Sequence, residues 1–224
     1  ELLKESGLLN FDLKESDFYA KVSAWAMLAG LSQGKGSAAA AAAPAAAGPM
    51  AAPEPRLVLS AGLQDITDTL VGDYQLNDVL LIILETMYRA MGFSRALLCI
   101  RDARNNTMSA RFGLGRDADA IVKGFSFPLD DATPSVFHAA INQGSDIYIA
   151  DIQADAIKNR IPAWYRKLLP AQSFIVFPIM LNNKAIGLFY GDRDEPGKLE
   201  FQANELGLLK ALRNQAILAI KQKV

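Results

Sequence analysis

The chain has 224 residues, of which 51% are hydrophobic and 21% are charged, and its formal net charge is −1. This composition is typical of a globular protein with one sizeable core. Because the 23 basic and 24 acidic residues are interspersed, we predict neither a nucleic-acid interface nor attraction to an anionic membrane surface. One cysteine and one histidine exclude an intrachain disulfide, a cysteine metal cage and a histidine cluster, and this usage fits a reducing cytoplasm.

The first 55 residues are predicted to lie outside the main core. From Leu13 to Leu31 the apolar residues have helical spacing, but one such helix cannot bury its apolar face alone. From Ser37 to Pro55 the sequence is rich in alanine and proline, as in an extended linker. We therefore expect residues 1–36 to be the helical tail of an upstream domain of a longer chain, residues 37–55 a linker, and residues 56–224 one folded domain.

The elements of the folded domain follow from hydrophobic periodicity and from turn residues. Two helices come first, strands and short helices follow, and a long amphipathic helix closes the chain. The predicted helices are Leu57–Val71, Asp78–Met91, Pro134–Asn142, Asp155–Leu168 and Phe201–Lys221, and the predicted strands are Ser94–Arg101, Thr107–Phe112, Phe125–Leu129, Asp146–Ala150, Ser173–Leu181 and Ala185–Tyr190. Asn77 is the expected cap of the second helix, and Gly92 is its expected end.

Two short connections decide the fold class. Residues 102–106 and the Asn182-Asn183 pair each join two predicted strands, and neither is long enough for a crossover. Both strand pairs are therefore predicted to be antiparallel hairpins. The predicted class is α+β, with a six-stranded antiparallel sheet, a helical layer on one face and shorter helices over the other.

Three segments in this order resemble a known family, the GAF domains, which are small-molecule-sensing modules of signalling proteins. They are LNDVLLIILETMYRAMGFSRALLCI, AQSFIVFPIMLNNKAIGLFYGD and KLEFQANELGLLKALRNQAILAI. In the second segment, Ser173, Pro178 and Gly187 are similar to the family's S-x-x-x-x-P-x…G-x-x pattern. The resemblance implies a GAF-like (PAS-like) fold and a regulatory, sensory role in a bacterial signal-transduction protein. The first segment is similar to the GAF module that follows an HDOD domain, which implies an HDOD region upstream.

The specialised chemistries of that family do not match this chain. Its cyclic-nucleotide signature has Asn-Lys after the last strand, where this sequence has Gly191-Asp192-Arg193. Cys99 lies in the middle of a predicted strand, which favours a buried structural thiol over a bilin attachment point. One cysteine cannot form and resolve the disulfide of the sulfoxide-reducing members. We therefore predict a non-catalytic module without a metal site.

The resemblance implies a ligand pocket between the sheet and the short central helices, and aromatic residues concentrate in that part of the chain. The predicted pocket residues are Phe112, Phe125, Phe127, Phe137, His138, Tyr148, Trp164, Tyr165 and Phe177. The alternative for the rings is plain core packing. For His138, the alternative to metal or haem ligation is a helix histidine that hydrogen-bonds locally or points to solvent. The polar stretch from Asp151 to Arg166 is either a pocket lid or a solvated helix. The sequence identifies neither a cofactor nor the ligand.

The longest helices carry more apolar surface than one sheet can cover. We therefore predict a homodimer through Leu57–Val71, Asp78–Met91 and Phe201–Lys221. Two functions stay open. The domain is either a sensor whose ligand shifts the packing of sheet and helices, or a domain with a collapsed pocket that serves only homodimer assembly.

Overall fold

The computed structural model describes residues 54–130, 135–197 and 201–223. The predicted helix Leu13–Leu31, and the linker before residue 54, lie outside these residues. In chain order the described elements are α1 (Pro55–Val71), α2 (Leu76–Met91), β1 (Arg95–Asp102), β2 (Thr107–Gly115), α3 (Ala118–Gly124), β3 (Ser126–Pro128), α4 (Val136–Gln143), β4 (Ile147–Ile149), α5 (Ala163–Leu168), β5 (Ser173–Leu181), β6 (Lys184–Arg193) and α6 (Ala203–Lys223). Among the described residues, no helix combines the length and apolar character needed to cross a membrane.

The six described strands form one antiparallel sheet in the order β3-β2-β1-β6-β5-β4. The β1–β2 and β5–β6 hairpins join through the pairing of β1 with β6, so residues of both hairpins lie side by side at the centre. Bulges interrupt the ladders between Leu98 and Cys99 and between Ile179 and Met180. The predicted six-stranded α+β fold is thus confirmed.

The two faces of the sheet carry different layers. The long helices α1, α2 and α6 pack together and cover one face, which we call the helical layer. Leu97 and Cys99 of β1 point to the other face, into a core shared with α3, α4 and α5. Because side chains alternate along a strand, Leu98 between them points to the helical layer.

The start of α2 differs from the sequence prediction. The helix begins at Leu76, so Asn77 lies in its first turn and does not cap it, and the cap position is taken by Gln75 without a side-chain bond. Leu76 is buried, which indicates that packing of this leucine decides where the helix starts. The predicted end is confirmed, because Gly92 adopts the left-handed conformation (φ 58°, ψ 41°).

The region between the hairpins also differs. The predicted helix from Asp155 to Leu168 is divided into a 3-10 turn at Lys158–Arg160 and the short helix α5. Pro162 separates the two parts, because proline excludes the residue before it from the helical conformation. Helix α3 has no counterpart in the sequence prediction, which assigns no element to its seven residues.

Two glycines in the long helices allow a test of the helical layer. A β-carbon at Gly62 of α1 would lie 2.5 Å from Thr86 Oγ1 of α2, whereas a β-carbon at Gly207 of α6 would have no neighbour within 4 Å. We expect Gly62→Ala to lower the free energy of unfolding by about 1–3 kcal/mol through overpacking. Gly207→Ala should raise it by up to about 1 kcal/mol, because alanine favours the helix. Urea denaturation measures both, and a stabilising Gly62→Ala would contradict this packing of α1 on α2.

Candidate functional site

Seven of the described aromatic side chains pack against each other on the sheet face opposite the helical layer. We call them the aromatic cluster: Phe125, Phe127, Phe137, Trp164, Tyr165, Phe174 and Tyr190. Neighbouring ring centroids are 5.1–6.4 Å apart, the usual spacing of interacting aromatic rings. All except Trp164 are buried. The rings therefore fill the space between the sheet and the short helices.

Strand alternation explains how the sequence builds this cluster. Phe174 and Val176 point to the same face of β5, and Leu188 and Tyr190 point to that face of β6. Strands β5 and β6 thus supply the floor, while α4 and α5 supply rings from above. Phe137 of α4 stacks on Phe174 with an interplanar angle of 9°.

A chain of buried polar groups runs through the floor of the cluster. The hydroxyl oxygens of Tyr165 and Tyr190 are 2.8 Å apart, and the Tyr190 hydroxyl donates to Asp192 Oδ2 at 2.7 Å. Arg95 Nε donates to the same oxygen at 2.9 Å, and its Nη2 lies 2.8 Å from Asp192 Oδ1. All four side chains are buried, so this is a polar network inside an apolar core. Asp192 Oδ1 is paired with the Arg95 charge but accepts no hydrogen bond.

The protonation of this network follows from burial. Burial raises the pKa of Asp192 to about 6, although hydrogen bonds and charge from Arg95 pull it down. Burial also raises the pKa values of Tyr165 and Tyr190 well above 10, so both phenols keep their protons at neutral pH. Because the Tyr190 proton is directed to Asp192, the Tyr165 hydroxyl must donate to the Tyr190 oxygen.

The network continues to the protein surface through Asp194. Arg95 Nη2 also contacts Asp194 Oδ1, and Asp194 Oδ2 lies 2.7 Å from Nη1 of the exposed Arg116. The neighbouring Arg193 donates a hydrogen bond to the backbone carbonyl of Met91, the last residue of α2. The end of β6 therefore links the aromatic cluster to the helical layer.

His138 has a structural role in α4. The Ser135 backbone N–H donates to His138 Nδ1 at 3.2 Å, and Nε2 lies 2.9 Å from the Pro128 carbonyl oxygen. This pattern assigns the proton to Nε2, which donates to Pro128, and completes a capping box at the start of α4. Both ring nitrogens are thus occupied and the side chain is buried, so of the two alternatives His138 follows the local hydrogen bond and does not point to solvent.

A groove of about 400 Å³ lies on the outer side of α4, beside β4 and the 3-10 turn. Apolar and polar side chains both line it. The lining residues are Ser135, Val136, His138, Ala139, Asn142, Gln143, Ile147, Ile149, Ile157 and Arg160. Its volume is within the range of small-molecule sites, which is roughly 300–1,000 Å³. The rings of the aromatic cluster do not line it.

The structure brings together six of the nine predicted pocket residues: Phe125, Phe127, Phe137, His138, Trp164 and Tyr165. Phe112 pairs with Leu98 across β1 and β2, so it points to the helical layer. The Tyr148 ring contacts the rings of Phe177 and Phe201, each with a centroid distance of 5.7 Å. Phe201 lies just before the start of α6. Phe112, Tyr148 and Phe177 therefore lie apart from the cluster.

The sequence prediction missed the polar half of the site. Phe174 and Tyr190 were visible as aromatic residues of the same region, but Arg95 and Asp192 carried no recognised motif. Strand alternation does contain a signal. Arg95 shares a face with Leu97, and Asp192 shares one with Tyr190, so each apolar strand carries one charge of opposite sign on its inner face.

Comparisons with known proteins agree on one fold. Residues 74–221 match the family model described as GAF domain. Similar solved structures include the GAF domain of a phosphoenolpyruvate-protein phosphotransferase from Coxiella burnetii, with 15% identity over 75% of this chain and 95% of that chain and a TM-score of 0.58. A free methionine-R-sulfoxide reductase from Neisseria meningitidis shares 18% identity over 76% of this chain and 92% of that chain, with a TM-score of 0.54. The GAF domain/HD domain protein from Geobacter sulfurreducens shares 14% identity over 67% of this chain and 95% of that chain, with a TM-score of 0.55. No curated protein matches the sequence.

Proposed function

This chain belongs to the GAF domain family, and from that membership we propose that it is a non-catalytic regulatory module of a bacterial signal-transduction protein. The state of its reactive groups supports this role. Cys99 is fully buried, and burial raises its pKa far above the ordinary value, so a nucleophilic thiolate is disfavoured. Among the described residues, no group of three or more His, Cys, Asp or Glu is placed to hold a metal ion. We place the module in the cytoplasm, after an HDOD region of the same chain.

The sensory part of the proposal rests on the link between the two faces of the sheet. Asp192 accepts a hydrogen bond from the Tyr190 hydroxyl of the aromatic cluster. The adjacent Arg193 donates a hydrogen bond to the Met91 carbonyl at the end of α2, in the helical layer. The Ser94 backbone N–H, between α2 and β1, donates to the Asp192 carbonyl at 2.7 Å. A small molecule that shifts the short helices would thereby change the packing of α2, as a population shift between two arrangements. The groove beside His138 is the proposed access to that side of the sheet.

The output part of the proposal is a homodimer through the helical layer. Leu57 and Val71 of α1 are 63% and 86% exposed, and Leu218 of α6 is 45% exposed. Exposed large apolar side chains on packed helices are the usual material of a subunit interface. Helices α1, α2 and α6 of two copies would then form a shared bundle.

Light scattering after size-exclusion chromatography tests the dimer. We expect the wild-type protein at high micromolar concentration to have about twice the chain mass of 24.2 kDa. Leu218→Glu should weaken the dimer by at least about a hundredfold, because it buries an unpaired charge in the interface. Lys184→Glu, an exposed charge reversal in the β5–β6 hairpin, is the control and should leave the mass unchanged. A wild-type monomer under these conditions would contradict the interface.

A second candidate function is a dimerisation element without a ligand. Its specific support is the complete burial of most rings in the aromatic cluster, which closes these rings to water. Native mass spectrometry of the protein purified from its own host separates the two candidates. A retained small molecule favours the sensor, while a bare dimer favours the assembly element.

A further inference from the structure

A very short helix, α5, contributes the Tyr165 side chain to the aromatic cluster. Helix α5 has six residues, and its Tyr165 side chain is completely buried. The centroid of its ring is 5.1 Å from that of Phe174, 5.4 Å from that of Phe137 and 6.2 Å from that of Tyr190. These three residues belong to β5, α4 and β6, and we call them the box around the ring; Trp164 of α5 itself lies 6.0 Å away.

The hydroxyl of Tyr165 has one defined partner in that box. It donates to the Tyr190 oxygen at 2.8 Å, while the Tyr190 proton is used by Asp192. The box therefore presents a flat aromatic space with one hydrogen-bond acceptor at its end. A group that replaces Tyr165 must supply a ring and a hydroxyl donor, because an unpaired acceptor in an apolar core is costly.

The box is held in place without help from α5. Arg95 fixes the Asp192 carboxylate through Nε at 2.9 Å, and Asp192 in turn orients the Tyr190 hydroxyl. Phe174 is fixed in the ladder with β4 and β6, and Phe137 follows the capping box of α4. Withdrawal of α5 would remove the packing of Trp164 on Phe137, but it would leave intact the hydrogen bonds that fix these walls and the acceptor.

The hydrogen bonds that hold α5 are mainly local, whereas its Trp164 and Tyr165 rings pack in the aromatic cluster. Arg166 Nη2 donates to the carbonyls of Lys158 at 2.7 Å and of Ile152 at 3.2 Å, and the Leu169 N–H donates to the Tyr165 carbonyl at 3.0 Å. These bonds are made within residues 152–169. Outside this segment, the Ile152 N–H donates to the Gln172 carbonyl at 2.9 Å, just before β5. Movement of the segment would break that bond and withdraw both the Tyr165 and the Trp164 rings, but it would leave the strand ladders intact.

The charges around the box balance, so a neutral occupant fits it. Arg95 faces Asp192, and Asp194 lies between Arg95 and Arg116. We propose that the space of the Tyr165 ring is a binding site for a neutral phenol-like molecule, and that Tyr165 is its intramolecular stand-in. The proposal rests on the sensory role above and names its ligand class. Binding would expel Tyr165 together with α5 and so signal occupancy.

The hydroxyl preference can be tested with the full chain carrying Tyr165→Gly, which removes the whole side chain. The probes are 4-methylphenol, which reproduces the missing side chain, and toluene, which lacks only the hydroxyl. We expect 4-methylphenol to bind about tenfold more tightly in calorimetry, because it donates to Tyr190. Tyr190→Phe in the same background is the matched control and should abolish the preference. Equal binding of both probes, or binding of neither, would overturn the proposed ligand class.

The wild-type protein supplies a test that does not depend on the folding of a variant. Millimolar 4-methylphenol should raise the amide hydrogen exchange of residues 163–168 severalfold, because the probe competes with Tyr165, while toluene should have a smaller effect. Unchanged exchange in α5 would overturn the stand-in role. If a different small molecule is retained from the host while 4-methylphenol fails both tests, the phenol proposal is wrong and the sensory role stands.

Discussion

Replacing Arg95 with methionine is expected to lower the free energy of unfolding by about 3–5 kcal/mol at pH 7. The Arg95 guanidinium is buried against the Asp192 carboxylate, and both side chains are almost inaccessible to water. Methionine fills much of the same volume but leaves the carboxylate without its cation. The loss is therefore the cost of a buried, unpaired charge, and urea denaturation measures it.

Arg116→Met is the matched control for this substitution. Arg116 also pairs with a carboxylate, that of Asp194, but its side chain is 68% exposed. Exposed pairs contribute little, so we expect a loss below about 1 kcal/mol. Similar losses for the two variants would contradict the assignment of Arg95 to a buried ion pair.

The pH dependence of the Arg95→Met variant gives a second check on the same pair. Burial raises the pKa of folded Asp192 to about 6, above its ordinary 3.8, so the folded protein holds the proton more tightly than the unfolded chain. The tighter proton binding by folded Asp192 contributes to the free energy of unfolding. This contribution is fully present below about pH 4 and is lost as the pH rises through 6 and the carboxyl loses its proton. Without Arg95 the folded pKa is higher still. The deficit of Arg95→Met relative to wild type should therefore be smaller at pH 5 than at pH 7.

Local turn chemistry made the sheet and its hairpins predictable from sequence. Asn182 and Asn183 both have positive φ, 50° and 61°, as a two-residue hairpin turn requires. Gly92 ends α2 in the left-handed conformation that its position indicated. These features depend on a few adjacent residues, so one sequence contains the information. The same holds for the alternation that puts Phe174 and Phe177 on opposite faces.

The candidate site was less predictable because it depends on long-range register. The bulge between Leu98 and Cys99 sets Phe112 opposite Leu98, whereas Ala110 lies opposite Cys99. It therefore turns Phe112 away from the face that Ala110 shares with the cluster, and no turn residue announces the bulge. Arg95 and Asp192 are 97 positions apart and meet only through the pairing of β1 with β6. Alternation predicts a face for each charge, but it does not predict the partner.

Gly115→Ala is expected to destabilise the protein by about 3 kcal/mol or more, because it combines backbone strain with a clash at the start of β1. Gly115 has φ +99°, a conformation that alanine rarely adopts. A β-carbon there would collide with the Ser94 carbonyl oxygen and lie 3.0 Å from the α-carbon of Arg95. Gly115 also pairs with Arg95 across the sheet, so the clash displaces the residue that neutralises Asp192. Urea denaturation at pH 7 measures the loss.

Gly197→Ala separates strain from the clash. Gly197 also has positive φ, +72°, but a β-carbon there would meet nothing within 4 Å, so we expect a loss of only about 1–2 kcal/mol. If the larger effect of Gly115→Ala arises at Arg95, it should not add to that of Arg95→Met. The double variant should then lose clearly less than the sum of the two single losses. Full additivity would show that Gly115 acts on the strand alone, and that the ion pair tolerates a displaced backbone at β1.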